Sequence, residues 1–126
     1  MNILKISLGS NAIFSFVSGL LLIVLHQSIA GWFEIENTAV FWIIGIGLIY
    51  FSATILWQLR TPKTKGILFI IIQDLIWVVG SIIILLTNPF DISELGNQLI
   101  TIVGFIVFFL SIGQSIGLSQ MKNNAL

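Results

Sequence analysis

The sequence predicts an all-α integral membrane protein, a single bundle of four helices with both termini cytoplasmic. Three observations carry that prediction. Of 126 residues, 57% are hydrophobic and only 8% are charged, and the mean hydropathy is +1.11. A soluble domain carries about 25% charged residues, so this chain has too few to cover a surface facing water. Four apolar segments, at residues 8–25, 38–59, 66–87 and 95–119, are each long enough to cross a hydrocarbon core, which takes roughly 20 residues. Finally, all five basic residues fall on the same side of the topology those segments imply.

The first segment follows Lys5. That lysine, the apolar run and Ser28-Ile29-Ala30 resemble a signal peptide with a small-residue cleavage site. The run is long for such a leader, so an uncleaved helix is expected. The next loop, "HQSIAGWFEIEN", is mildly amphipathic and reads as a connector lying at the interface, with Ile29, Trp32, Phe33 and Ile35 on the membrane. Asn37 or Thr38 caps the second segment.

The second and third segments are joined by a very tight turn and are expected to be antiparallel neighbours. Thr61 followed by Pro62 suits an N-cap and a first helical residue. Asn88-Pro89 stops the third helix. Asp91 with Glu94 three residues later reads as a capping box for the fourth.

Lys5, Arg60, Lys63, Lys65 and Lys122 lie at the termini and in the second loop, while Glu34, Glu36, Asp91 and Glu94 lie in the other two loops. The positive-inside rule then places both termini and the second loop in the cytoplasm. Such unanimity argues against dual-topology insertion. Trp32 and Trp42 near one interface and Trp57 near the other fit an aromatic belt.

The fifth acid, Asp74, is the only charge within a span. It lies in "FIIIQDLIWVVGS", beside Gln73, at roughly 12 Å from the start of its segment. Burial of an Asp at a helix centre costs about 2.5–3.5 kcal/mol on the insertion scale. Such a residue faces the bundle interior or water and finds a partner. No Lys, Arg or His lies at that depth, so desolvation favours the neutral acid.

Other polar residues gather at the same level: Asn11, Gln114 with Ser111 and Ser115, and Ser52 with Thr54. Three-to-four spacing aligns Asp74, Trp77, Val78 and Ser81 on one helix face. It likewise aligns Ser7, Asn11, Phe14, Ser15 and Ser18. The stripe on the fourth helix is Gly104, Val107, Ser111, Gln114 and Leu118, and on the second it is Gly47, Tyr50, Thr54 and Trp57. Asp74, Asn11, Gln114, Gln73, Trp77 and Ser81 are therefore the candidate ligand or proton site.

Asn11-x-x-Phe14, then Ser18, matches Asp74-x-x-Trp77, then Ser81, which suggests an internal repeat of two hairpins related by an axis along the membrane normal. Gly113 and Gly117 form a GxxxG match that permits a close helix crossing, within the bundle or between protomers. "FIVFFL", Phe105 to Leu110, reads as a lipid-facing run.

Several chemistries are excluded or disfavoured. Zero net charge argues against nucleic acid. The absence of cysteine rules out disulfides and thiolate-held metals. His26 is the sole histidine and a poor haem ligand at the end of its helix; no cofactor or metal is expected. Asp74 has no second acid, base or metal ligand with which to run a reaction, so no enzyme is expected.

Three functions compete. The cluster could hold the bundle together in a small accessory or structural subunit. It could pass a small solute or a proton, since one carboxylate that changes protonation is the minimum for proton coupling. Or it could bind a lipophilic ligand such as a quinone or lipid, lined by Phe14, Tyr50, Trp57 and Trp77. The expected partners are the lipid bilayer and either further copies of the chain or a larger membrane complex.

"GSNAIFSFVSGLLLI" and "QDLIWVVGS" resemble segments of small bacterial four-helix membrane proteins, which are loosely similar to the DoxX-like proteins. The shared motif residues are Asn11, Asp74, Trp77, Gly80 and Ser81. The resemblance implies a protein of the bacterial cytoplasmic membrane. DoxX-like proteins are associated with membrane redox complexes, but no redox residue here carries that over.

Overall fold

In the computed structural model, which describes residues 3–125, the chain is helical almost throughout. The helices are α1 (Ile3–Val24), α2 (His26–Phe33), α3 (Ala39–Arg60), α4 (Thr64–Thr87) and α5 (Glu94–Ala125). Four of them, all but α2, are long and apolar enough to cross a membrane. They correspond to the four predicted segments. The first begins five residues earlier than expected, because Lys5 sits within the helix rather than ahead of it.

α1 packs on both α3 and α5, and α4 packs on α5. Glycines set two of these seams. A Cβ on Gly19 would lie 2.7 Å from the Gly45 carbonyl oxygen, and a Cβ on Gly45 would lie equally close to that of Gly19. Only two hydrogens in place of methyls let α1 and α3 approach so far. On the other side of α1, Gly113 lies against Ser7, and Gly117 sits where a Cβ would come within 2.5 Å of the Leu4 Cα. The GxxxG pair thus serves the α1–α5 seam within the bundle.

α3 and α4 touch little, although a tight turn joins them. This corrects the expectation that they are close neighbours. α3 commits its buried Gly45 to the α1 seam, and the turn region is filled by the Gln58 side chain lying over Gly66. A core of Leu4, Leu8, Ala12, Ile55, Ile67, Ile70, Ile71 and Leu118 joins all four long helices near the end that carries the basic residues.

The helix ends differ from expectation in two places. Thr61 closes α3 instead of opening α4: its N–H and hydroxyl both donate to the Trp57 carbonyl, at 3.0 and 3.2 Å. Pro62 therefore stays in the turn, and the Lys63 N–H donates to the Gln58 side chain. At α5, Asp91 takes a left-handed backbone (φ 51°) and Ser93 is the cap. Its Oγ accepts the Gly96 N–H at 3.0 Å. Elsewhere the reading holds. Asn37 accepts the Ala39 N–H at 3.1 Å, and Asn88 ends α4 in the left-handed region.

The connector at the acidic end is the two-turn helix α2, and Ile29, expected on the membrane, packs on the protein instead. Ile29 and Ala30 are buried against Phe41, and Phe33 meets the Phe41 ring edge-on at 5.3 Å. Ser93 ties this helix to α5: its N–H donates to the Phe33 carbonyl, and its hydroxyl donates to that of Trp32.

Candidate functional site

Asp74, in the interior of α4, is buried against two carboxamides. α4 presents Asp74 to the interior on the face that also buries Ile67, Ile70, Ile71 and Ser81. α1 presents Asn11 between Leu8 and Ala12, and α5 presents Gln114 between Ser111 and Leu118. The spacing that aligns each polar residue with apolar core residues explains why all three turn inward.

Three hydrogen bonds close a ring. Asn11 Nδ2 donates to Asp74 Oδ2 at 2.8 Å and to Gln114 Oε1 at 2.9 Å. Gln114 Nε2 donates to the same Asp74 Oδ2 at 2.8 Å. Outside the ring, Ser15 Oγ donates to Asn11 Oδ1 at 3.1 Å. Each of the three helices is thereby bonded to the other two through one side chain. The exposures are 1% for Asn11, 4% for Asp74 and 0% for Gln114.

The geometry limits the chemistry. An amide can donate and accept, but it transfers no proton at ordinary pH. Asp74 alone can change protonation, and both donors converge on Oδ2. A proton on the neutral acid therefore belongs on Oδ1, where it breaks neither bond. Among the described residues no group of three or more His, Cys, Asp or Glu could hold a metal ion.

The other candidate residues lie elsewhere. Ser81 is buried but donates to the Trp77 carbonyl at 2.8 Å, one turn back along its own helix. Gln73 and Trp77 are exposed on the surface of α4, away from the ring. Tyr50 and Trp57 are 75% and 64% exposed, so the aromatic lining imagined around Asp74 does not assemble there. The reason is that α3 rotates to bury Phe41, Gly45, Ser52 and Ile55 and turns the Tyr50 face outward. The stripe expected on α5 is the buried one: Val107, Ser111, Gln114 and Leu118.

The Gly19–Gly45 crossing was missed from the sequence. Its signal is present: in antiparallel helices, Gly19 and Gly45 fall at matching depth. At the offset of 63 that links Asn11 to Asp74, their counterparts are Ile82 and Phe108, both exposed. The two hairpins share the placement of one polar residue but not the packing around it.

A shallow groove opens toward the basic end. It lies between α4 and α5 and is lined by Leu68, Ile71, Ser115, Leu118, Ser119 and Lys122. At the acidic end, two buried polar atoms have no partner among the described residues, His26 Nδ1 and Asn97 Oδ1.

No family model, curated protein or solved structure matches this chain.

Proposed function

We propose that the Asn11–Asp74–Gln114 ring is a structural lock, and that the chain is a small non-enzymatic membrane protein acting as an accessory or structural subunit. One observation carries this: each member of the ring bonds both others, and none is more than 4% exposed. A site for a solute needs a face left open to it; here Asp74 is 4% exposed and its Oδ2 accepts both amide donors. Intramembrane hydrogen bonds average about 0.6 kcal/mol, so three add little stability. They do fix which residues face one another, because a slip of one turn strands a carboxylate in hydrocarbon. The proposal places the chain in the cytoplasmic membrane of a bacterium with both termini inside. Support comes from the five basic residues at one end of the bundle. It also groups the chain with the loosely DoxX-like four-helix proteins, on the motif residues quoted above.

Proton or small-solute transport is the second proposal, favoured by the α4–α5 groove. That groove is lined by Ile71, one helical turn before Asp74, and Ser115, next to Gln114 in the chain. One experiment separates the two. The purified chain in proteoliposomes is expected to show the proton leak of empty vesicles, with Asp74→Asn indistinguishable from it. A proton flux in the wild type that Asp74→Asn abolishes would overturn the lock and establish transport.

A further inference from the structure

Gln73 is the residue the bundle leaves unexplained. It stands next to Asp74 in sequence, but on a different face of α4. It is exposed, and its side chain makes no hydrogen bond among the described residues. By helical rise it lies roughly 14 Å from one end of α4 and 21 Å from the other. Its amide cannot reach the water at either end. A carboxamide left bare in hydrocarbon loses its hydrogen bonds to water and gains none in return.

Its surroundings have a pattern. Phe69, Gln73, Ile76, Gly80 and Ile83 are spaced four, three, four, three along α4. That is the spacing of a left-handed helix–helix seam. Phe69, Ile76 and Ile83 are all exposed. Ile76, Gly80 and Ile83 line an apolar groove along the helix, and a Cβ built on Gly80 meets no atom within 4 Å. Gly80 is thus a small residue that the fold of one chain does not require, unlike Gly19, Gly45 or Gly117.

We infer that this face of α4 is a homodimer interface, in which Gln73 bonds to Gln73 of a second copy. The occupant follows from the chemistry of the amide. A carboxamide carries both a donor and an acceptor, so it is complementary to itself. The basic residues gathered at one end give all copies one orientation in the membrane. A two-fold axis along the membrane normal then brings each residue of α4 opposite its own counterpart, at its own depth. Gln73 meets Gln73 in a reciprocal pair, and Gly80 meets Gly80 two turns away, where the backbones close. The stripe holds no charge that would need a different partner. The surface is separate from the buried ring, so the inference stands whether the ring is a lock or a conduit.

The chain lacks cysteine, which makes the test direct. Single cysteines are introduced at Ile76, on the stripe, and at Ile13, an exposed α1 position off it. The full-length variants are oxidised in native membranes at low expression. Ile76→Cys is expected to give a dimer-sized product and Ile13→Cys none. Adding Gln73→Leu to Ile76→Cys should lower the yield about threefold to tenfold, the range for losing intramembrane hydrogen bonds. Gly80→Ile should lower it at least as much, and since a Cβ there meets no atom within 4 Å in the monomer, the fold should survive. Equal yields at Ile76 and Ile13 would overturn the inference. So would a yield indifferent to both second-site changes, or a product joining Ile76→Cys to a different protein.

Discussion

Asn11 and Asp74 stand 63 residues apart in the chain and meet through one 2.8 Å hydrogen bond in the middle of the bundle. The α1 and α4 backbones do not approach each other closely. They face across the bundle interior, and side chains, Asn11 and Asp74 among them, fill the space between. Gln114 fills the third corner and bonds both.

Removing the acceptor should cost more than removing the charge. Asp74→Asn keeps an oxygen for both donors and is expected to change stability by less than ~1 kcal/mol. Asp74→Leu leaves the Asn11 and Gln114 amides each short of a partner, and should cost about 1–3 kcal/mol. Unfolding in mixed micelles by titrated SDS measures both. Equal losses would show that the charge, not the acceptor, holds the ring.

Asn11 and Gln114 should be coupled. Each bonds the other and both bond Asp74. Once Asn11→Ala has opened the ring, Gln114→Ala has less left to break. The double variant is expected to lose less than the two singles combined, by about 0.5–1.7 kcal/mol. Strict additivity in a double-mutant cycle would count against a closed ring.

Two glycines of α3 should respond oppositely. Gly45→Ala pushes a methyl into the Gly19 carbonyl and should destabilise by about 1–3 kcal/mol. Gly47→Ala meets nothing within 4 Å. It should be neutral or stabilise by up to ~1 kcal/mol through helix propensity. The same SDS titration reads both, and a Gly47→Ala as damaging as Gly45→Ala would contradict the seam assignment.

The start of α5 should depend on Ser93 and not on Asp91. Ser93→Ala removes the cap on Gly96 and the bond to the Trp32 carbonyl. A loss of about 0.5–2 kcal/mol is expected, with faster hydrogen exchange at the Gly96 amide. Asp91→Ala should leave that amide unchanged. Exchange that accelerates only in Asp91→Ala would restore the capping-box assignment.

The polar ring was legible in the sequence because its members are rare. In so apolar a chain, Asn11, Asp74 and Gln114 stand out, and helical rise alone places them at one depth. Which face of α3 points inward was not legible. Its residues are nearly all apolar, so no side chain marks the interior. Gly45 decides it through fit to Gly19, a match between two helices that neither helix displays alone. The α4–α3 separation escaped for a related reason: a short turn fixes where two helices join, and says little about how far they splay. The cap at Ser93 was missed because its bonds reach α2, a short helix whose sequence reads as an interfacial connector.

The ring also has an order of assembly. α1 and α3 meet at the glycine crossing and are made first, yet the acceptors of the Asn11 amide arrive only with residues 74 and 114. During synthesis the early half stands in the bilayer with an amide supported by Ser15 alone. An unfinished chain thus carries an amide donor without its partners, a feature that disappears when the last helix docks. A chain ending after Arg60 is expected to be degraded faster than the same fragment carrying Asn11→Leu, as pulse-chase labelling would show; equal half-lives would mean the unpartnered amide goes unread. The first helix thus carries a vacancy that only the last one fills.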